Sequence, residues 1–192
     1  MRTMVVALSA LAWAGCLAAQ SPRLPNTRNG FWMGFGVGGG SAGTTCSTCT
    51  GGHQTGISGY FRMGGAPSRS LLVGGEATFF ARSTGGVDQR VTFASMIVMW
   101  YPERAGALYL KLGVGALGYR SDDGTNVLTA TAPSLALGLG YEVRVAPNLS
   151  VVPFMNALGS SAVRIAVNGS PANPAEDVKV NLVQAGVGLT WH

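Results

Sequence analysis

Charge is scarce in this chain. Asp, Glu, Lys and Arg together make up 11% of its 192 residues, and lysine occurs only at Lys111 and Lys179. A soluble domain carries roughly twice that charged fraction, so a surface held in water by lysine and glutamate is excluded. Long apolar runs are also missing beyond Ala19, because glycines and single charges interrupt each one. A membrane helix, which needs ~20 apolar residues, therefore has no candidate segment there. Histidine is confined to His53 and His192 and cysteine to Cys16, Cys46 and Cys49, too few for most catalytic or metal constellations.

What is abundant is glycine, 29 residues, within a composition that is 47% hydrophobic. Disorder would need fewer apolar residues and collagen would need glycine at every third position. A glycine-rich β protein satisfies both constraints. The first 20 residues form a separate unit: Arg2, an apolar stretch from Met4 to Ala19, then Gln20-Ser21-Pro22. That order is the positive, apolar and small-residue sequence of a secretory signal peptide. Residues 1–20 are read as the signal, 21–28 as a short tail and 29–192 as one domain. Three fates are weighed for the leader: ordinary cleavage near Ala19 or Gln20, lipidation at Cys16, and retention as an anchor helix.

From Asn29 onward eight segments alternate with a period of two, the mark of strands with chemically different faces. The sixth is the clearest: Leu135, Leu137, Leu139, Tyr141, Val143 and Val145 oppose Ala136, Gly138, Gly140, Glu142 and Arg144. The fourth, Val91 to Tyr101, is apolar on both sides and its facing is open. Pro153 removes a ladder donor inside the seventh segment, and a bulge is expected there. Short turns at 66–69, 102–106 and 146–148 alternate with longer polar linkers at 43–52, 83–90, 121–131 and 159–177. Such alternation, with strands of ~10 residues, is what transmembrane barrels show.

The face opposite the apolar one is rich in glycine, which fits a narrow lumen. Arg or Lys on the lipid face costs roughly 2 to 4 kcal/mol at mid-membrane, so Arg62, Lys111 and Arg144 are expected to point inward with Glu76 and Glu142. The pairs expected are Lys111 with Glu142 and Arg62 with Glu76, packing the lumen as structure. Trp32, Tyr60, Phe80 and Tyr109 are expected to plug it. The aromatics Phe31, Phe61, Phe79, Trp100, Tyr101, Tyr119 and Trp191 stand near segment ends, consistent with girdles at the two interfaces.

Two motifs point elsewhere and are set aside on context. Residues 34–39 satisfy GxGxxG, but no helix follows, and a nucleotide site needs one. Cys46 and Cys49 form a CxxC in a Gly/Thr loop; His53 brings the zinc donors to three where four are needed. A disulfide in an oxidising compartment is the expectation, with two free thiols as the alternative. No catalytic residue, metal, cofactor or nucleic acid is predicted.

The closing stretch, Gln184 to Trp191, resembles the C-terminal insertion signal of bacterial outer-membrane β-barrels, carried by Gln184, Gly186, Leu189 and Trp191; His192 departs from it by following the aromatic. Together with Tyr101-Pro102 and Gly138-Leu139-Gly140-Tyr141-Glu142, the eight segments resemble eight-stranded outer-membrane barrels of the OmpA-membrane-domain and OmpW kind. The resemblance implies an all-β, eight-stranded antiparallel up-and-down barrel with short periplasmic turns and longer external loops. It also implies the bacterial outer membrane as location and assembly by the outer-membrane barrel machinery. Unlike the full-length OmpA type, the chain ends at its last strand, so no C-terminal peptidoglycan-binding domain is expected. The leading expectation is a non-enzymatic, monomeric outer-membrane protein acting through its external loops, with lipopolysaccharide as a partner at those loops drawn by the net charge of +5. Alternatives are a narrow channel for small or hydrophobic solutes, a lipid-modifying enzyme, and a soluble periplasmic barrel of lipocalin type.

Overall fold

The computed structural model describes residues 28–45, 52–161, 163–172 and 178–192. The signal segment, Cys16 and the Cys46/Cys49 pair lie outside the described residues. Eleven strands are present among those described: β1 (Gly30–Thr45), β2 (His53–Ser68), β3 (Leu71–Thr84), β4 (Val87–Trp100), β5 (Leu108–Asp122), β6 (Val127–Tyr141), β7 (Val143–Ala146), β8 (Leu149–Ser160), β9 (Arg164–Val167), β10 (Ser170–Ala172) and β11 (Lys179–Trp191). Eight of them, β1 to β6 with β8 and β11, are the staves of a closed antiparallel barrel. β7 prolongs β6 beyond a break at Glu142 and pairs with the start of β8. β9 and β10 form a small hairpin that continues the wall beside β6.

Each stave pairs with its neighbour in sequence, and the ends of the chain close the cylinder. β11 runs against β1 from Met33↔Trp191 to Thr45↔Lys179, so none of the eight staves is left as an edge to seek a partner. No described helix is long and apolar enough to cross a membrane; the ladders between neighbouring staves pair the backbone that crosses it.

The alternation is resolved on every stave. Phe35 is 52% exposed, Leu112 53% and Leu137 61%, whereas Arg62 is 1% exposed, Lys111 3% and Glu76 4%. A water-soluble barrel has the opposite arrangement, and a continuous exposed apolar surface of this extent belongs in lipid. The soluble lipocalin-type alternative therefore falls. β4, whose facing the sequence leaves open, turns Val91, Phe93, Ile97 and Met99 inward and Met96, Val98 and Trp100 outward.

Two expectations are corrected. The linkers at 83–90 and 121–131 are mostly strand: β3 and β4 meet at Gly85-Gly86, and β5 and β6 at 123–126. Both glycines have positive φ, 62° and 80°, the backbone a two-residue hairpin requires. Asp123 accepts hydrogen bonds from the backbone N–H of Asn126 (2.6 Å) and Thr125 (2.9 Å), and these hold its carboxyl below the usual carboxylate range. The first five staves, 14 to 16 residues long, exceed the ~9 to 11 needed to cross, so the barrel projects beyond the belt at this end. Pro153 is not bulged; its register with Val187 on β11 is regular. The irregularity lies in the partner, because the β6/β7 ladder skips Tyr141 and Glu142, and the missing proline donor faces that gap.

Candidate functional site

Small residues on the inward face allow large side chains from other staves to fill the lumen. A Cβ added at Gly138 would collide with Asn156 Oδ1 and meet Lys111 Cε at 3.0 Å. One at Gly36 would meet the Tyr60 ring at 2.6 Å and Phe154 at 2.8 Å. The space these glycines release is occupied in three layers.

The external layer is apolar and includes Phe80, Val91, Phe93, Leu117, Leu158 and Leu182. Below it lies a polar layer. Lys111 Nζ stands 2.5 Å from Glu76 Oε1, both side chains fully buried, and Thr78 donates its hydroxyl to the same oxygen at 3.3 Å. Arg62 donates to the Tyr109 hydroxyl (3.0 Å) and to Thr190 Oγ1 (3.2 Å), with its guanidinium 4.6 Å from the Tyr60 ring centre. Ser58 and Gln184 are hydrogen-bonded side chain to side chain. The third layer, toward the short turns, is aromatic, with Trp32, Tyr101 and Tyr109 packed against Leu72, Ile97 and Met99.

Glu142 occupies the end of that aromatic layer. Its Oε2 accepts from Arg28 Nε (3.2 Å) and a terminal guanidinium nitrogen (3.0 Å), and its Oε1 accepts from the Tyr101 hydroxyl at 2.5 Å. His192 Nε2 lies 3.4 Å from Oε1. The Arg28 guanidinium rests 3.4 Å above the Tyr101 ring centre and donates to the carbonyls of Gly106 (2.7 Å) and Arg69 (3.4 Å). One buried ion pair thus joins the segment ahead of β1, the turns after β2 and β4, the β6/β7 break and His192.

The structure pairs the charges differently from the sequence expectation. Lys111 meets Glu76 rather than Glu142, because Lys111 stands across from Gly138, four residues short of Glu142 on the neighbouring strand. Arg62 and Glu76 are opposite in register, yet the Arg62 terminal nitrogens turn to Tyr109 and Thr190. Arg144 is not in the lumen cluster. It sits half-buried at a register shift between Arg144 and Ala146 and donates to the carbonyls of Ala146 (3.3 Å) and Pro147. Arg28 lies in what the sequence marks as the tail; nothing periodic distinguishes it, only its place just ahead of the first strand. The Asn168-Gly169 hairpin of β9 and β10 was also missed, although an Asn-Gly dipeptide is a strong turn signal; both residues have positive φ, and Asn168 N–H donates to Val127 O at 2.9 Å.

On the C-terminal strand Gln184 and Gly186 face inward while Leu189 and Trp191 face out, with Trp191 56% exposed. His53 and His192 lie at opposite ends of the barrel. Among the described residues no three His, Cys, Asp or Glu side chains gather as metal ligands.

If the mid-lumen pair is packing, replacing both partners by apolar residues of similar size should be tolerated, as for other buried pairs. The double variant Glu76→Leu/Lys111→Met is expected to unfold in urea within about 1 kcal/mol of the wild type. A double variant that no longer folds would assign the pair a more demanding role.

No protein-family model and no curated protein sequence matches the chain. Solved structures do. Neisserial surface protein A is similar over 86% of this chain and 99% of its own, at TM-score 0.59 and 15% identity. The fold is that of an eight-stranded outer-membrane barrel. The outer membrane protein OprG from Pseudomonas aeruginosa (86% and 98% covered, TM-score 0.52, 13% identity) is similar in the same way. So is Ail, the attachment invasion locus protein of Yersinia pestis, solved with the heparin analogue sucrose octasulfate (85% and 99% covered, TM-score 0.50, 13% identity). The apolar belt and charged interior place the chain in a bilayer, and the fold is one of bacterial outer-membrane proteins.

Proposed function

We propose that this chain is a non-enzymatic integral outer-membrane protein whose lumen is a sealed strut and whose outer wall and external rim are its working surface. The observation that carries the reading is the continuous filling of the lumen by three layers of side chains, none of the large members of which is more than a few per cent exposed. Eight-stranded barrels enclose just enough room for side chains to fill. The topology is consistent with the OmpA-membrane-domain and OmpW kind. Gln184 to Trp191 serves as the address read by the barrel assembly machinery, and closure on β1 leaves none of the eight staves unpaired, in keeping with a monomer.

The apolar external layer favours a second reading, entry of small hydrophobic solutes from outside. Purified protein in planar bilayers separates the two: no steady single-channel conductance is expected, and steady openings in most insertions would overturn the sealed lumen. For the enzyme alternative, lipid A from expressing cells is expected to keep its mass, with or without His53→Ala.

A further inference from the structure

The belt is mostly bulky, but one part of it is hollow. On the outer wall Phe61, Ala77, Ala94 and Ala116 stand in one register row across β2 to β5. They line a groove of about 290 Å³, with Phe79 and Thr92 on its external side. On the membrane-depth side the row is flanked by larger residues, among them Met96 and Val114. From the three alanines a track of small residues continues along β4 and β5 through Thr92 and Gly118 to Arg90 and Arg120.

Those two arginines are cross-strand partners, both exposed on the outer face. Like charges directly opposite one another are unfavourable on a sheet. Arg120 is relieved in part by Asp122, 3.2 Å away and itself half-buried. The Asp88↔Asp122 pair lies one pleat further from the belt, so these two acids stand on the side of the arginine row away from the groove. Arg90 and Arg120 stand four residues from Ala94 and Ala116, about 13 Å along the strands. That spacing suits a lipid whose phosphate meets the guanidiniums, which bind phosphate through paired N–H groups, while an acyl chain descends into the groove.

We propose that the β2 to β5 wall is a binding site for lipid A, the phosphorylated, multiply acylated glucosamine lipid of the outer leaflet. An acyl chain occupies the alanine groove and a phosphate bridges Arg90 and Arg120. The choice of leaflet rests on the orientation that puts the short turns in the periplasm. A site on the wall also differs from attraction at the loop tips, because it requires both the groove and the arginine pair.

The test is native mass spectrometry of protein refolded in detergent and titrated with bis-phosphorylated, hexa-acylated lipid A, with phosphatidylglycerol in a parallel arm. One lipid A per barrel is expected, weakened at least about tenfold in Arg90→Ala/Arg120→Ala. Ala94→Leu/Ala116→Leu should weaken it comparably while keeping both arginines, and dephosphorylated lipid A should bind the unchanged protein poorly. A heat-dependent gel shift in each variant shows that its barrel has closed. Equal binding by wild type and the arginine variant overturns the phosphate contact; undiminished binding by the leucine variant overturns the groove. Phosphatidylglycerol binding as tightly as lipid A overturns the assigned lipid and its leaflet. Efficient cross-linking of Ala94→Cys barrels to one another, in place of lipid binding, assigns the groove to a second copy.

Discussion

Glu142→Ala is expected to lower the unfolding free energy by about 3 to 5 kcal/mol, the cost of leaving a buried charge without its partner. The Arg28 side chain is fully buried, and its Nε and one terminal nitrogen both donate to the carboxylate that the substitution removes. The Tyr101 hydroxyl loses its acceptor in the same step. Water cannot readily replace either, because Trp32, Tyr101 and Tyr109 fill that end of the lumen. Typical domains are stable by ~5 to 15 kcal/mol in total, so much of the variant should run as unfolded on unheated gels and unfold at lower urea in detergent. Glu142→Gln retains an acceptor for Tyr101 but loses the charge, and should fall between. Arg28→Met/Glu142→Leu removes both charges and should recover most of the loss. A Glu142→Ala protein with the wild-type urea midpoint would show that the pair holds nothing together.

The effect should also be distributed. Arg28 touches the carbonyls of Arg69 and Gly106, and His192 N–H donates to Asn148 O at 3.1 Å, so the turns at this end are tied through one residue pair. Loss of the carboxylate is expected to raise amide hydrogen exchange at those turns more than in the mid-barrel ladders, where β4 and β5 pair without interruption from Asp88↔Asp122 to Trp100↔Leu110.

The barrel was legible because one physical rule acts at every residue: lipid outside and a crowded lumen inside make each stave alternate, and glycines on the inner face give its narrowness away. The inward turn of Arg62, Glu76, Lys111 and Glu142 could be read from the cost of charge in lipid. Which acid meets which base could not, since that depends on how far neighbouring strands are staggered, a property of closure rather than of any segment. Lys111 and Glu142 sit at similar distances from the short-turn end in sequence, yet the register sets Lys111 across from Gly138. Arg144 has the right parity for the lumen and misses it because the ladder shifts before Ala146. The external linkers misled for a simpler cause. Threonine, glycine, aspartate and arginine read as loop, but strand that rises beyond the lipid needs no apolar outer face, and Arg90 and Arg120 are cross-strand partners on such an extension.

The seam between the first and last staves offers the sharpest test of closure. Gly38 and Gly186 are register partners there, both on the inward side. A Cβ at Gly38 would overlap the carbonyl oxygen of Ala185, and one at Gly186 the carbonyl oxygen of Val37. Both obstacles are backbone of the facing strand, so no rotamer change can clear them; β1 and β11 would have to separate. Gly39, one residue along, points outward with nothing within 4 Å of an added Cβ. Gly186→Val is therefore expected to abolish the heat-dependent gel shift almost completely, and Gly39→Val to leave it as in the wild type. The two variants share chemistry and β propensity and lie on the two strands of one seam, so propensity cannot account for a difference between them. The last strand carries a second constraint, because Gly186 lies within the stretch that resembles an insertion signal. Gly38→Val removes that ambiguity: it leaves Gln184 to Trp191 intact and blocks the same seam from the other side. If Gly38→Val fails to close while its C-terminal strand is unchanged, closure requires the paired glycines themselves. If it closes normally, β1 and β11 do not meet in this register.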